Sequence, residues 1–212
     1  NGIRFDWPVR TDQTRAESVA RLALASEARH YVSVGRMGGE DVGTAAKAHD
    51  VMIRAWREAG AGARRAHLHL LGDGELRPAL EALAGDDQSI HFHGVVSGVH
   101  DWLVGADAFL MPSRHEGLPI AGIEALATGL PCLFSTIPPL RELEPASVRW
   151  VAPNDVSGLS AQLLESIDAP REYLPDAAAA VREAYGITAV ARRYIDCYTR
   201  HGAEHFSRGV AT

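Results

Sequence analysis

Two glutamates separated by seven residues, Glu116 and Glu124, lie in the segment Pro112-Ser-Arg-His-Glu-Gly-Leu-Pro-Ile-Ala-Gly-Ile-Glu-Ala-Leu-Ala-Thr-Gly-Leu-Pro131. An apolar run ends at Pro112, a loop follows, and a helix is expected to open on Pro119, whose missing N–H costs nothing at a first helical position. Gly129 suits a left-handed stop, with Pro131 beyond it. The free amides around Gly117, Leu118 and Ile120 then form an anion site at the helix N-terminus. Gly117 lets a ligand come close to the backbone. Glu124, one turn on, leans back toward the helix start. There it reaches the hydroxyls of a ribose attached to a bound phosphate, each of which can donate to a carboxylate oxygen. Glu116 lies on the other side, near whatever the phosphate carries. Taken singly, the plainer readings are a dipole cap for Glu116 and a solvated helix position for Glu124. The whole strand–loop–helix pattern favours a ligand site.

An anion needs counter-charge. Arg36 follows Gly35 at the end of an earlier apolar run, and Lys47 opens the next helical pattern. Together they can hold a diphosphate without a metal, arginine as a bidentate fork and lysine as a point charge. They would also stabilise the charge that grows on a departing diphosphate. Gly72-Asp-Gly74-Glu75 is a tight turn and, at most, a weak phosphate loop.

These residues must be held by elements. Strands are expected at His30–Val34, Ala66–Leu71, Ile90–His93, Ala108–Met111, Cys132–Ser135 and Val148–Val151. Helical periods lie between them, near Lys47–Glu58, Leu76–Leu83, Val99–Val104 and Ile120–Ala127, with a short turn at Leu140–Leu143. Strand–helix alternation implies right-handed crossovers and an α/β fold, a Rossmann-like doubly wound parallel sheet of about six strands. Ligands of such sheets sit beyond the carboxyl ends of the strands, where Gly35, Gly72, Gly94 and Pro112 fall. Residues 1–13 read as a polar linker, with Thr14–Ala25 as a first helix. Helices follow at Val156–Ile167, Asp176–Tyr185 and Ile187–Thr199. The expected division is linker and first helix over 1–25, a ligand-binding domain over 26–184, and a last helix and tail over 185–212.

Order and spacing add a resemblance. Gly35-Arg36 with Lys47, Leu71-Gly-Asp-Gly74, Phe92-His-Gly-Val-Val96, Ala106-Asp-Ala-Phe-Leu-Met-Pro-Ser113 and the Glu116–Glu124 pair resemble the donor domain of retaining GT-B glycosyltransferases, family four (group 1), over about residues 30–153. The chain is then one half of a GT-B fold. The resemblance implies that Arg36 and Lys47 grip the diphosphate of a nucleotide sugar and act with Glu116 in catalysis. It places Glu124 on the ribose, the Gly117–Leu118 amides near the sugar, Gly35 and Gly72 at the donor edge, and Gly94, Val95 and Val96 along the base pocket. It also implies a partner, an acceptor-binding N-terminal domain lying outside this chain, and no metal or other cofactor. Asn1-Gly2-Ile3 looks like the family's interdomain linker and Tyr185–Tyr198 like its last helix. Met37–Ala46 looks like an insertion between Arg36 and Lys47, and its Gly38-Gly39-Glu-Asp41 stretch is expected to be a mobile loop.

Other classes fit less well. A net charge of −6 offers no broad attraction for nucleic acid or anionic lipid. No apolar run reaches the roughly 18–20 residues of a membrane-spanning helix. Cys132 and Cys197 make neither a metal cluster nor a disulfide framework, and Cys132 reads as a small core residue. A cytoplasmic location is expected, with any peripheral membrane contact made by the other half. His67/His69 and His91/His93 alternate on neighbouring strands, but no carboxylate or cysteine pattern completes a metal site. No G-x-G-x-x-G follows the first strand, which argues against a dinucleotide oxidoreductase. Two alternatives stand beside sugar transfer: a nucleotide-binding module inactive by itself, and a sugar-nucleotide epimerase of GT-B fold.

Overall fold

The computed structural model describes residues 2–143 and 148–208, with side chains through residue 199. In chain order the elements are α1 Asp12–Arg21, β1 Arg29–Val34, α2 His49–Glu58, β2 Ala66–Leu71, α3 Arg77–Ala84, β3 Ile90–Gly94, α4 Val99–Gly105, β4 Ala108–Met111, α5 Ile120–Ala127, β5 Cys132–Ser135, α6 Pro138–Arg141, β6 Val148–Val151, α7 Val156–Asp168, α8 Pro175–Tyr185 and α9 Ile187–Arg208. All six expected strands form, within a residue at each end. The sheet is parallel throughout, in the order β3-β2-β1-β4-β5-β6.

Alternation along the strands divides the core into two. Tyr31, Leu68, Leu70, Leu110 and Leu133 face α2, α3 and α7. Val32, Phe109, Met111 and Phe134 face α4, α5 and α8. Strands covered on both sides read as continuous apolar runs, as Ala108–Met111 and Cys132–Ser135 do. The strand order reverses between β1 and β4. The crossover leaving β1 (through α2) and the one leaving β4 (through α5) therefore diverge to opposite faces and open a crevice between them.

Glycines let the strand ends close up. Gly72, at φ 127°, donates its amide to the Gly94 carbonyl at 2.7 Å. A Cβ on Gly72 would lie 2.1 Å from the Gly35 carbonyl oxygen, so no other residue fits there. Gly94, at φ 68°, is itself buried.

The leading segment is less of a linker than its polarity implies. Ile3 bridges to Gly186 at the α8–α9 junction, and Trp7 and Arg10 are buried. The first helix runs Asp12–Arg21, earlier than the expected Thr14–Ala25, because Thr11 and Thr14 form a capping box. The stretch expected to be mobile, Gly38–Asp41, leaves from an anchored residue, and its Gly39 amide donates to Glu75 Oε1 at 3.1 Å. Met37 is fully buried, its amide donates to the Asp73 carbonyl, and its carbonyl accepts from Leu76. Residues 209–212 of the expected tail lie outside the described residues.

One buried carboxylate fastens the lower edge of the sheet. Asp107, just before β4, meets Arg10 at 3.1 Å, Arg15 at 3.3 Å and Arg171 at 3.0 Å, with Arg29 at 3.9 Å. It also accepts the His30 amide at 2.9 Å, at the base of β1. Asp107→Ala would leave the fully buried Arg10 guanidinium without its ion partner. A loss of about 3–5 kcal/mol in denaturant-unfolding free energy is expected; a loss under about 1 kcal/mol would contradict this role.

Candidate functional site

The crevice between the β1 and β4 crossovers holds two of the three catalytic candidates, Lys47 and Glu116, in direct contact. Lys47 Nζ lies 2.7 and 2.8 Å from the two oxygens of Glu116, and Ser113 Oγ donates to one of them at 2.7 Å. The Glu116 side chain is 5% exposed and that of Lys47 29%. The carboxylate is thus fixed, while the ammonium still has an open side. Lys47 is carried by the turn into α2, which starts two residues later than expected, after Ala48 in a left-handed conformation. Its stem runs against Gly35, where a Cβ would come within 3.1 Å of Lys47 Cγ.

Arg36 stands on the same side of the crevice and is exposed. Its one described ion partner is Glu75, at 3.2 Å and also exposed. Such surface pairs contribute about 0–1 kcal/mol, so the guanidinium can turn to a stronger anion at little cost.

The α5 start differs in detail from expectation. Pro119 is the cap residue, not the first helical residue, and Ile120 donates its amide back to the Leu118 carbonyl. Of the three amides expected at this end, Ile120's is therefore occupied. No acceptor among the described residues takes the amides of Gly117 and Leu118, and Gly117 faces open space. Leu118 and Ile120 are exposed large apolar side chains here, as is Val95 beyond β3. Val96 instead packs against the core around Trp102, and buried Gly94 shapes the turn without offering surface. Of the expected base-pocket residues, Val95 alone points fully to solvent.

Glu124 sits in the second turn of α5, its side chain 21% exposed, with Oε1 3.7 Å from His100 Nε2. Burial pushes its carboxyl above the usual carboxylate range, and the His100 charge pulls it part of the way back.

The pairing of Arg114 with Asp50 is absent from the sequence reading. The guanidinium meets both oxygens of buried Asp50, at 2.9 and 3.0 Å, and donates to the Ala45 carbonyl. The Arg114 amide also donates to the Ala46 carbonyl at 2.7 Å. These bonds lace the β4–α5 loop to the β1–α2 loop and set Glu116 beside Lys47. The pair lies 64 positions apart in the chain, so no local spacing announces it.

The histidines form hydrogen-bonded rows on the α4 side of the sheet. His30 Nδ1 meets His69 Nε2, His69 Nδ1 meets His93 Nε2, and His67 Nδ1 meets His91 Nε2, each at 3.0 Å. No three histidine, cysteine, aspartate or glutamate side chains among the described residues are grouped as a metal ion would need. Burial, with neighbouring histidine charges second, lowers His69 to about 2. The rows are polar packing across β1, β2 and β3, with His69 and His93 against Trp102 of α4.

Comparison with known proteins agrees with this architecture. The chain belongs to the family described as glycosyl transferases group 1, whose profile matches residues 28–169. Its fold is that of one half of a GT-B glycosyltransferase. It is similar to a D-inositol 3-phosphate glycosyltransferase of Thermobispora bispora, 28% identical over 203 residues, covering 87% of this chain and 46% of the relative. Among solved structures it resembles sucrose-phosphate synthase from Thermosynechococcus elongatus, with TM-score 0.79, 18% identity, and coverage of 96% of this chain and 52% of that one. It likewise resembles Anabaena HepE in complex with UDP-glucose, with TM-score 0.78, 14% identity, and coverage of 94% and 56%. The chain thus spans about half the length of these proteins. None of the helices in the described residues is long and apolar enough to cross a membrane.

The raised Glu124 carboxyl has a stability consequence. Held above its unfolded value of 4.5, it binds a proton more readily in the folded chain, so ionisation weakens the fold as pH rises through the raised value. Glu124→Gln is expected to melt above the parent chain at pH 7.5, with the two curves converging below about pH 4. An equal or lower Tm for the variant at pH 7.5 would count against the assignment.

Proposed function

We propose that this chain binds a nucleoside-diphosphate sugar in the β1–β4 crevice. With an acceptor-binding domain outside it, the chain transfers the sugar to an acceptor hydroxyl with retention of configuration and without a metal, as a family-four enzyme. The observation that carries this reading is the Lys47–Glu116–Ser113 contact beside the open amides of Gly117 and Leu118, at the switch point of the sheet. HepE, which binds UDP-glucose, has the same fold.

Arg36 leaves Glu75 for the diphosphate, and Lys47 contributes its open side to the same group. These cations and the two amides meet charge that grows as the sugar–oxygen bond breaks. The sugar then sits near Glu116, whose fixed negative charge stabilises an oxocarbenium-like ring. With two donors on it, Glu116 is built to orient and to stabilise. Glu124 takes the ribose hydroxyls, and Val95 with its neighbours borders the base. The exposed Tyr194, Ile195 and Tyr198 of α9 suit docking on the other domain. Alone, the chain binds nucleotide without transferring sugar.

Calorimetry of the chain with UDP, GDP and ADP identifies the base and tests the site. Arg36→Ala should weaken the preferred diphosphate about tenfold or more while leaving the corresponding nucleoside unchanged. In the complete enzyme Glu116→Ala should keep nucleotide affinity and lose turnover. No binding of any of the three diphosphates, or near-normal turnover of both variants, would overturn the reading.

A further inference from the structure

The segment before α1 reaches the donor edge through aromatic stacking. Trp7 is buried and lies face to face with the His100 ring, with centroids 3.5 Å apart and planes inclined by 11°. The indole Nε1 makes no hydrogen bond among the described residues, so stacking and main-chain contacts locate the ring. Arg182 of α8 supplies the latter. It donates to the Trp7 carbonyl at 2.9 Å and the Ala127 carbonyl at 2.7 Å, tying the segment to the end of α5. Phe5 closes on Trp7 edge-to-face at 5.3 Å. His100, in the first turn of α4, presents its other aspect to Glu124, with Nε2 3.7 Å from Oε1.

We propose that His100, held by the Trp7 ring, is a positioning residue that keeps the Glu124 carboxylate ionised and aimed at the ribose hydroxyls of a bound nucleotide. This rests on the donor-site reading above. A carboxylate four-fifths covered by protein loses charge readily, because burial penalises the ionised form. A protonated carboxyl loses half its capacity to accept, and two ribose hydroxyls then compete for it. An imidazolium at this distance favours the ionised state. The other charges around the pair are engaged elsewhere. Asp101, next to His100 on α4, is paired with Arg21 of α1. Arg182 of α8 lies 5.7 Å from the Trp7 centroid and is bound to backbone carbonyls. Among the described residues, His100 is the basic side chain paired with Glu124. Displacement of the leading segment, by lifting Trp7 from His100, therefore changes nucleotide affinity through Glu124.

The test is the pH dependence of affinity for whichever of UDP, GDP and ADP binds best, measured from pH 5.5 to 8.5. At pH 8 His100→Asn should bind within about twofold of the parent, since Glu124 ionises unaided. At pH 5.5 it should bind about five- to tenfold more weakly, because more of the Glu124 carboxyl is then protonated. His100→Arg, whose planar cation can stack on Trp7 and face Glu124, should restore the parent profile. Trp7→Leu should move the acid limb in the same direction as His100→Asn. Protonation of the nucleotide's own phosphates affects all chains alike and cancels in the comparison. If His100→Asn superimposes on the parent at every pH while Glu124→Gln is impaired, the His100 role is wrong and the donor site stands. If Glu124→Gln binds like the parent, the donor-site reading itself fails.

Discussion

The pairing of β1 with β4 carries the rest of this molecule, although it is short. Two residue pairs register directly, Tyr31 with Ala108 and Val32 with Phe109. A ladder of that length is a weak joint in a six-stranded sheet, and charge reinforces it at both ends. Below, Asp107 accepts the His30 amide and gathers arginines from the leading segment, α1 and the chain after α7. Above, Arg114 grips Asp50 and the Ala45 and Ala46 carbonyls. Breaking either clamp strands a buried charge, which costs far more than any single strand hydrogen bond.

Because β1 and β4 are neighbours whose crossovers leave on opposite faces, the crevice above them is a product of topology. Arg36 and Lys47 arrive from one side, Glu116 and the α5 amides from the other. Glu116 could not be buried alone; its two donors offset the loss of water. The same logic explains the exposed Arg36, which spends little on Glu75 and so remains available. The donor edge thus combines one locked charge with one loose one.

Much of this was legible in the chain. The strands are short apolar runs closed by Gly35, Gly72, Gly94 and Pro112, and each lies where its pattern placed it. The α5 segment, with its Gly117 opening and its Gly129 stop, is written in local chemistry. Reading failed where a residue's partner lies far along the chain. Met37 looked like the start of an insertion because glycines follow it, yet it is buried in the core and bonds through its backbone to Asp73 and Leu76. The polarity of segment 1–13 gave no sign that Trp7 and Arg10 are buried, because that burial depends on α4, α8 and Asp107. The histidines at alternate positions, set aside as metal ligands, have partners that no spacing showed, one another across three strands.

The sequence by itself determined the α/β class, the position of every strand, the two glutamates and their spacing, and the cations able to face them. These follow from local periodicity and from backbone requirements that glycine and proline satisfy at single positions. Tertiary structure alone decided that Lys47 bonds to Glu116, that Ile120's amide is taken while those of Gly117 and Leu118 stay open, and that Trp7 reaches Glu124 through His100. Each of those outcomes joins residues dozens of positions apart or turns on the dihedral angles of one loop. Neither is encoded in a spacing, because both are set by how two crossovers diverge from a shared pair of strands.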